Sequence, residues 1–324
     1  MKSLEEIAKI LDAEIAQINW AREPKELYKP IAYILSLGGK RIRPALVLAG
    51  CEMFSGNLDD AIAPALGIEI LHNFTLLHDD IIDNSDIRRG KPTVHKKWNE
   101  NTAILSGDVM QIIAYQYIAK TKTEYLKEVL SLFSTTAMEI CEGQQLDIDF
   151  EAQMKVSTGE YVEMIRLKTA VLLGTALKTG AIIGGADETD KNLLYDCAVN
   201  LGLAFQLQDD LLDVYGDEKT FGKKIGGDIL GNKKTYMFIQ AFERAQGAEK
   251  QELEKWISAA NFNPAEKIKA VTQIYNKLGI KEICEKKIKE YTENALVELD
   301  KVQVEENRKT QLRDLVNSLM KRKN

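Results

Sequence analysis

The chain has 324 residues, 45% of them apolar, which is enough to bury a large core. Its formal net charge is -6, so a general electrostatic attraction to nucleic acid or to an anionic membrane is not expected. The N-terminal sequence MKSLEEIAKILDAEI lacks the apolar region of a signal peptide. No apolar run approaches the ~18 residues that a membrane span requires. We therefore expect a cytoplasmic protein without a transmembrane segment.

The cysteine pattern argues against disulfides and zinc. The four cysteines are far apart and form no CxxC pair; they are Cys51, Cys141, Cys197 and Cys284. This spacing fits a reducing compartment in which the thiols are small, buried apolar groups.

The periodicity of apolar residues predicts helices throughout. No proline lies between Pro92 and Pro264, so a long region lacks the strongest helix breaker. Apolar residues recur there at three- and four-residue intervals, and the sustained alternation of half-buried strands is missing from the sequence. The prediction is an all-α fold with one domain over residues 1–324. The predicted helices are 3–18, 25–37, 41–55, 58–84, 99–119, 123–149, 158–182, 188–216, 232–246, 249–258, 264–278 and 280–320.

A first acidic cluster lies near the end of the predicted helix 58–84. Asp79, Asp80 and Asp83 form a DDxxD pattern. At 3.6 residues per turn, Asp79 and Asp83 lie on one face with Cβ atoms ~5–6 Å apart. Taken alone, such a cluster is most simply a solvated helix face.

A second acidic cluster repeats this spacing in the predicted helix 188–216, with Asp209, Asp210 and Asp213. Two such sets in apolar helices would leave several charges unpaired unless a cation binds them. Carboxylate ligands without a cysteine or histidine cage favour a hard ion, Mg²⁺ before Zn²⁺. Because Mg²⁺ keeps several waters and shares phosphate oxygens, the clusters indicate a phosphorylated ligand.

Basic residues accompany both clusters. Two glycine-containing loops, 38–44 and 216–234, suit closing over an anion, although an ordinary solvated turn stays open as an alternative for each. Arginine suits bidentate phosphate contacts and lysine acts as a point charge. No Walker A or GxGxxG motif supports nucleotide binding. The candidate cations are Lys40, Arg43, Arg88, Arg89, Lys168, Lys223 and Lys233.

The order of these motifs resembles that of the trans-isoprenyl diphosphate synthases, the polyprenyl synthetase family. The matching stretches are GGKRIRP at 38–44, LLHDDIIDNSDIRRG at 76–90, KT at 168–169, FQLQDD at 205–210, FGKKIGGD at 221–228 and NKKT at 232–235. Gly227 stands where relatives commonly have Thr. The resemblance implies an isoprenoid synthase bundle of mostly antiparallel helices around a deep central cavity, in a homodimer. It implies head-to-tail, trans condensation of isopentenyl diphosphate with an allylic diphosphate to a short-chain prenyl diphosphate.

The resemblance also implies a role for each site residue. Three Mg²⁺ ions per active site would be held by Asp79, Asp83 and Asp209, supported by Asp80, Asp210 and Asp213. Isopentenyl diphosphate would be bound by Lys40, Arg43, His72 and Arg89. The allylic substrate would be contacted by Arg88, Lys168, Thr169, Gln206, Lys223 and Lys233, with Lys168 and Lys223 also counted as catalytic.

Product length is expected to depend on Phe74, five residues before Asp79. Each helical turn adds ~5.4 Å of depth, about one isoprene unit, so a bulky side chain there would stop elongation early. The resemblance favours C20 geranylgeranyl diphosphate, with C15 farnesyl diphosphate next. A helical wheel places Thr75 closer than Phe74 to the Asp79 face, so Phe74 as simple core packing stays an alternative.

Other readings of the sequence remain. A terpene cyclase would share the all-α fold but would lack the repeated DDxxD and the Lys40/Arg43 pair. A metal phosphohydrolase using His78 and Asp79 would need more histidines than the three present. A non-catalytic partner subunit would normally have lost one acidic cluster, and a long-chain polyprenyl synthase would differ in product length.

Overall fold

A computed structural model describes residues 4–153, 155–216, 225–259 and 261–320 of the chain, and these residues are mostly helical. The first helices are α1 (Leu4–Gln17), α2 (Lys25–Ser36), α3 (Ile42–Met53) and α4 (Leu58–Ile82). A short antiparallel pair follows, β1 (Ile87–Arg88) with β2 (Lys91–Pro92). Then come α5 (Val94–Lys97), α6 (Glu100–Ile118), α7 (Thr123–Ala152) and α8 (Thr158–Ile165).

The second half of the chain begins with a π-helical segment, Arg166–Ala170. It continues as α9 (Val171–Gly184), α10 (Glu188–Tyr215), α11 (Gly227–Leu230) and α12 (Tyr236–Arg244). The last helices are α13 (Gly247–Ser258), α14 (Pro264–Lys277), α15 (Ile280–Lys301) and α16 (Glu306–Met320). The predicted all-α fold class is confirmed.

Polar side chains fix several helix starts. Asn57 accepts a hydrogen bond from the Asp59 amide at the start of α4. At the start of α8, the Ser157 hydroxyl and the Glu160 carboxylate form a reciprocal capping box. Such caps satisfy amides that have no partner within the helix. These boundaries follow from local sequence, which explains why the predicted starts of α4 and α8 are confirmed.

Contacts between Cα atoms divide the chain into two units, and the prediction of a single domain stays a prediction. The first unit comprises Met1–Ala137, Leu172–Tyr195 and Lys301–Leu312. In it α4 packs against α3 and α6, while α2 packs against α6. Helix α9 crosses α3 so closely that a Cβ on Gly180 would lie 2.0 Å from the Val47 carbonyl oxygen.

The second unit comprises Met138–Val171, Asp196–Asp300 and Arg313–Asn324. In it α12 packs against α8, and α11, α12 and α13 each pack against α14. The π-helical segment lies between two glycines. A Cβ on Gly143 of α7 would come within 2.4 Å of the Lys168 amide nitrogen, and one on Gly202 of α10 within 2.7 Å of the Ala170 Cα. Only glycine permits these close approaches.

Two predicted helices are wrong in extent. The predicted helix 280–320 is broken between α15 and α16, because the Gln303 amide donates to the Asp190 carboxylate at 2.9 Å instead of continuing the helix. The predicted helix 232–246 starts only at α12, where the Thr235 side chain caps the Phe238 amide. The first difference results from a tertiary hydrogen bond and the second from a helix cap. The periodicity of apolar residues predicts neither.

Among the described residues, one stretch, Thr158–Gly184, is long and apolar enough to cross a membrane by length and composition alone. However, 78% of its most apolar window is buried in the protein, as in a core helix. The four cysteines are free thiols, as predicted, and three of them are buried. Cys141 is exposed, so the prediction of burial is wrong for this residue.

Candidate active site

The first acidic cluster contains carboxylates of two kinds. Asp80 is only 2% exposed, and Arg88 donates to its two oxygens at 2.7 and 2.8 Å. Burial raises the pKa of Asp80, and the Arg88 guanidinium offsets part of this effect. Asp79 is partly exposed and Asp83, at the end of α4, is exposed. Of the two carboxylates predicted as metal ligands here, Asp83 is therefore accessible, whereas Asp79 is partly exposed and its Oδ2 atom lies 3.9 Å from the Arg88 guanidinium.

The β1–β2 turn joins this cluster to the loop 38–44. The Arg89 guanidinium donates to the Gly38 carbonyl oxygen. Gly39 has φ +150°, and a Cβ there would lie 2.9 Å from the Arg89 Nη2 atom. The loop therefore needs glycine both for its backbone conformation and for the close approach of the arginine.

Arg41 fixes the same loop from inside, a role that the sequence analysis missed. Its guanidinium contacts the Glu69 carboxylate of α4 at 2.6 Å and the Asp12 carboxylate of α1 at 2.9 Å. It also donates to the Leu35 carbonyl oxygen at 3.0 Å. In sequence Arg41 stands between Lys40 and Arg43 with no pattern that marks it as buried. Lys40 is exposed beside it.

His72 lies one turn beyond Glu69 on α4 and pairs with the loop through Arg43. The Arg43 Nη1 atom is 3.3 Å from the His72 Nε2 atom. Burial lowers the pKa of His72 well below its usual value, and the neighbouring arginines, Arg43 first, add to this effect. The imidazole is therefore neutral near pH 7 and can accept a hydrogen bond from Arg43. The structure thus brings together Arg43, His72 and Arg89 around one loop.

The predicted chain-length residue packs inside the first unit. Phe74 is buried and its ring contacts the His78 ring edge-to-face at 4.7 Å. The His78 Nε2 atom lies 3.2 Å from the Ile104 carbonyl oxygen of α6, and a Cβ on Gly107 would collide with the same ring. His78 is therefore packed between α4 and α6, as a structural residue would be. Thr75 donates its hydroxyl proton to the His72 carbonyl oxygen at 2.8 Å.

The second acidic cluster shows the same division into accessible and buried carboxylates. Asp210 is buried and accepts hydrogen bonds from the Tyr161 hydroxyl and, at 3.1 Å, from the Gln206 amide. Burial, together with the nearby Asp228 carboxylate, raises the pKa of Asp210 to about 8. A cation bound at Asp209, which is partly exposed, would oppose this shift. Tyr161 lies outside every predicted motif.

Asp213 holds the backbone that follows the second cluster. Its Oδ2 atom accepts from the Asp228 amide at 3.0 Å, and its carbonyl oxygen accepts from the Gly226 amide at 2.6 Å. A Cβ on Gly227 would lie 3.3 Å from the Asp213 Oδ1 atom, a tight but not forbidden contact. A Cβ in place of the Gly227 hydrogen would therefore need only a small adjustment.

The π-helical segment presents Lys168 and Thr169. Lys168 forms an ion pair with Asp147 of α7 at 2.6 Å, and the Thr169 hydroxyl donates to the Gln206 amide oxygen at 3.2 Å. Single π turns within helices are frequent at functional sites, because the extra residue re-aims the side chains around it. Gln206 thereby links Thr169 to Asp210. Asp147, like Tyr161, has no spacing in the sequence that relates it to DDxxD.

The remaining predicted contacts can be placed only in part. Lys223 lies outside the described residues. Lys233 is half-buried, and its amide donates to the Asp228 carbonyl oxygen at 2.9 Å. In the part of the chain that the structure describes, no three His, Cys, Asp or Glu side chains converge as a complete metal cage.

Comparison with known proteins agrees with the fold and the motifs. Residues 24–276 match the polyprenyl synthetase family. A geranylgeranyl diphosphate synthase of Methanosarcina mazei is 42% identical over 72% of this chain and 73% of its own. A short chain isoprenyl diphosphate synthase of Methanothermobacter thermautotrophicus is 38% identical over 87% of this chain and 86% of its own. A crystal structure of a geranylgeranyl pyrophosphate synthase superposes with a TM-score of 0.95, at 44% identity and full coverage of both chains.

The all-α fold with two acid-rich helices and neighbouring cations is that of the isoprenoid synthase class. Within this class, the chain belongs to the polyprenyl synthetase family. The family predicted from the ordered motifs is thereby confirmed.

Proposed function

We propose that the protein is a Mg²⁺-dependent prenyltransferase that condenses isopentenyl diphosphate with an allylic diphosphate into a short-chain, all-trans prenyl diphosphate. One observation carries the proposal. In each acidic cluster at least one carboxylate is buried, Asp80 in the first and Asp210 and Asp213 in the second, whereas Asp79 and Asp209 are partly exposed and Asp83 is exposed. The relatives of this chain are named as synthases of such products.

Asp79, Asp83 and Asp209 are proposed to hold the Mg²⁺ ions. Bound Mg²⁺ would act as a Lewis acid on the diphosphate leaving group. Asp80, Asp210 and Asp213 support this arrangement through Arg88, Tyr161 and the Asp228 amide. Because these supports are buried, they keep the helix ends rigid while the accessible carboxylates face the ligand.

The basic and polar residues divide between the two substrates. Isopentenyl diphosphate is assigned to Lys40, Arg43, His72 and Arg89, and the allylic diphosphate to Arg88, Lys168, Thr169, Gln206, Lys223 and Lys233. Cleavage of the allylic carbon–oxygen bond gives a carbocation, which the double bond of isopentenyl diphosphate attacks. Loss of a proton to the released diphosphate then forms the new double bond. The fixed charges stabilise the departing oxygens without reorganisation.

Product length is proposed to be C20, with C15 as the nearest alternative. Phe74 is buried and is held by a ring contact with His78, which itself packs against α6. A ring that packs against a side chain held by α6 cannot easily move aside for a growing prenyl chain. This rigidity supports the role of Phe74 as a stop.

A homodimer is proposed from an apolar face on α6. Ile104, Leu105 and Ile112 are exposed there, at spacings that place them on one side of the helix. Exposed apolar residues grouped in this way mark interaction surfaces. Sedimentation of Leu105→Glu is expected to show a shift toward monomer, and an unchanged mass would contradict this interface.

The decisive experiment is mass analysis of products formed from isopentenyl diphosphate with C5, C10 and C15 allylic primers. Condensation is expected with Mg²⁺ and is expected to stop when EDTA is added. Asp79→Asn is expected to lower the rate by about a hundredfold or more, as for loss of a group acting in the transition state. Asp86→Asn, an exposed carboxylate on the neighbouring turn, is the matched control. A preparation that forms no prenyl diphosphate under any condition would refute the proposal.

A further inference from the structure

Lys267 of α14 is a buried lysine without an acidic partner in the described part of the chain. Its side chain is only 1% exposed. Its Nζ atom lies 4.2 Å from the centroid of the Phe262 ring. Burial lowers the pKa of this amine. Fully buried lysines are rare and need specific polar contacts, so this position calls for a role.

The ammonium group contacts the segment 226–233, which comprises α11 and the start of its connection to α12. It donates to the Asn232 side-chain oxygen at 2.8 Å and to the Leu230 carbonyl oxygen at 3.3 Å. Asn232 has φ +52°, a left-handed conformation. Its side-chain amide also donates to the Ile257 carbonyl oxygen at 3.2 Å. A backbone held in this uncommon region needs surrounding contacts to persist.

The same segment carries two groups of the proposed active site. The Asp228 amide, at the start of α11, donates to the Asp213 carboxylate. Lys233 directly follows Asn232 and its amide donates to the Asp228 carbonyl oxygen. Gly226 packs against Ile268 of α14, because a Cβ on Gly226 would lie 2.6 Å from the Ile268 Cδ1 atom. Helix α14 therefore contacts this segment at both of its ends.

We propose that Lys267 is a positioning residue for binding of the allylic diphosphate. By holding Leu230 and Asn232, it fixes the backbone from which Lys233 extends. Because the Lys233 amide donates to the Asp228 carbonyl oxygen, it also supports the hydrogen bond from the Asp228 amide to the Asp213 carboxylate. The inference rests on the proposed function for the identity of the ligand. Lys267 itself is buried behind the segment and does not touch the substrate.

The test compares Lys267→Met with Lys269→Met, an exposed lysine on the same helix. Loss of a buried charged hydrogen bond is expected to raise the KM for the allylic diphosphate on the order of tenfold. The KM for isopentenyl diphosphate is expected to change less than about twofold, a split that general destabilisation would not produce. Lys269→Met is expected to match the wild type.

A second pair of variants keeps the test valid if Lys267→Met folds poorly. Asn232→Asp retains an oxygen for the ammonium group, whereas Asn232→Leu removes it. The first is expected to keep a near wild-type KM for the allylic substrate and the second to reproduce the Lys267→Met effect. Equal KM values for the two would overturn the inference.

Amide hydrogen exchange separates this inference from the proposed function. Residues 225–235 are expected to exchange faster in Lys267→Met than in Lys269→Met, whether or not the protein condenses prenyl substrates. If the wild type shows no condensation, the proposed function fails while the exchange result still decides the structural role of Lys267. If the wild type condenses and both lysine variants show the same kinetics and exchange, Lys267 has no positioning role.

Discussion

The buried pair of Arg41 and Glu69 gives a sharp prediction about the loop 38–44. Their side chains are 3% and 4% exposed and their atoms are 2.6 Å apart. Arg41→Met would leave the Glu69 carboxylate buried with only the Asn73 amide, at 2.9 Å, as a side-chain donor among the described residues. Loss of one partner of such a pair costs about 3–5 kcal/mol. Because domains are stable by only about 5–15 kcal/mol, this is a large share of the total.

The measurement is urea unfolding followed by circular dichroism, with the double variant Arg41→Met/Glu69→Met. An apolar pair of similar volume is often as stable as the ion pair, so the double variant is expected to regain most of the loss. Lys29→Met removes an exposed ion pair to Glu26 and is expected to leave the midpoint unchanged. A loss below about 1 kcal/mol for Arg41→Met, or no recovery in the double variant, would contradict the reasoning.

Three further predictions concern the same unit. Folding lowers the pKa of His72, so the unfolded state binds more protons and the free energy of unfolding falls as pH drops below about 6.5. The urea midpoint of His72→Gln is therefore expected to fall less steeply with decreasing pH than that of the wild type. Equal pH dependence of the two midpoints would exclude His72 as the cause. Gly39→Ala is expected to raise the KM for isopentenyl diphosphate on the order of tenfold by displacing Arg89, whereas Gly159→Ala, where a Cβ has room, should not. Phe74→Ala is expected to lengthen the product seen by mass analysis, and an unchanged product distribution would remove its role as a stop.

Local chemistry explains which parts of the fold could be predicted. Apolar periodicity and caps such as Asn57 and Ser157 act within one or two turns, so helix type and several starts follow from sequence. The break after α15 depends on Asp190, more than a hundred residues away in sequence from Gln303. The π turn at Lys168 depends on close packing at Gly143 and at Gly202. Periodicity carries no information on either contact.

The sequence by itself determined the family and the two acidic clusters, because carboxylates at DDxxD spacing and ordered basic loops are readable one residue at a time. Only the tertiary structure decided which members of each set are accessible. Asp79 and Asp80 differ in burial and in their hydrogen-bond partners, and so do Arg43 and Arg41. Yet the members of each pair are adjacent or nearly adjacent along the chain. The residues that hold the site from behind, Lys267 among them, are recognised only by their contacts, since a buried lysine and an exposed lysine look alike in sequence.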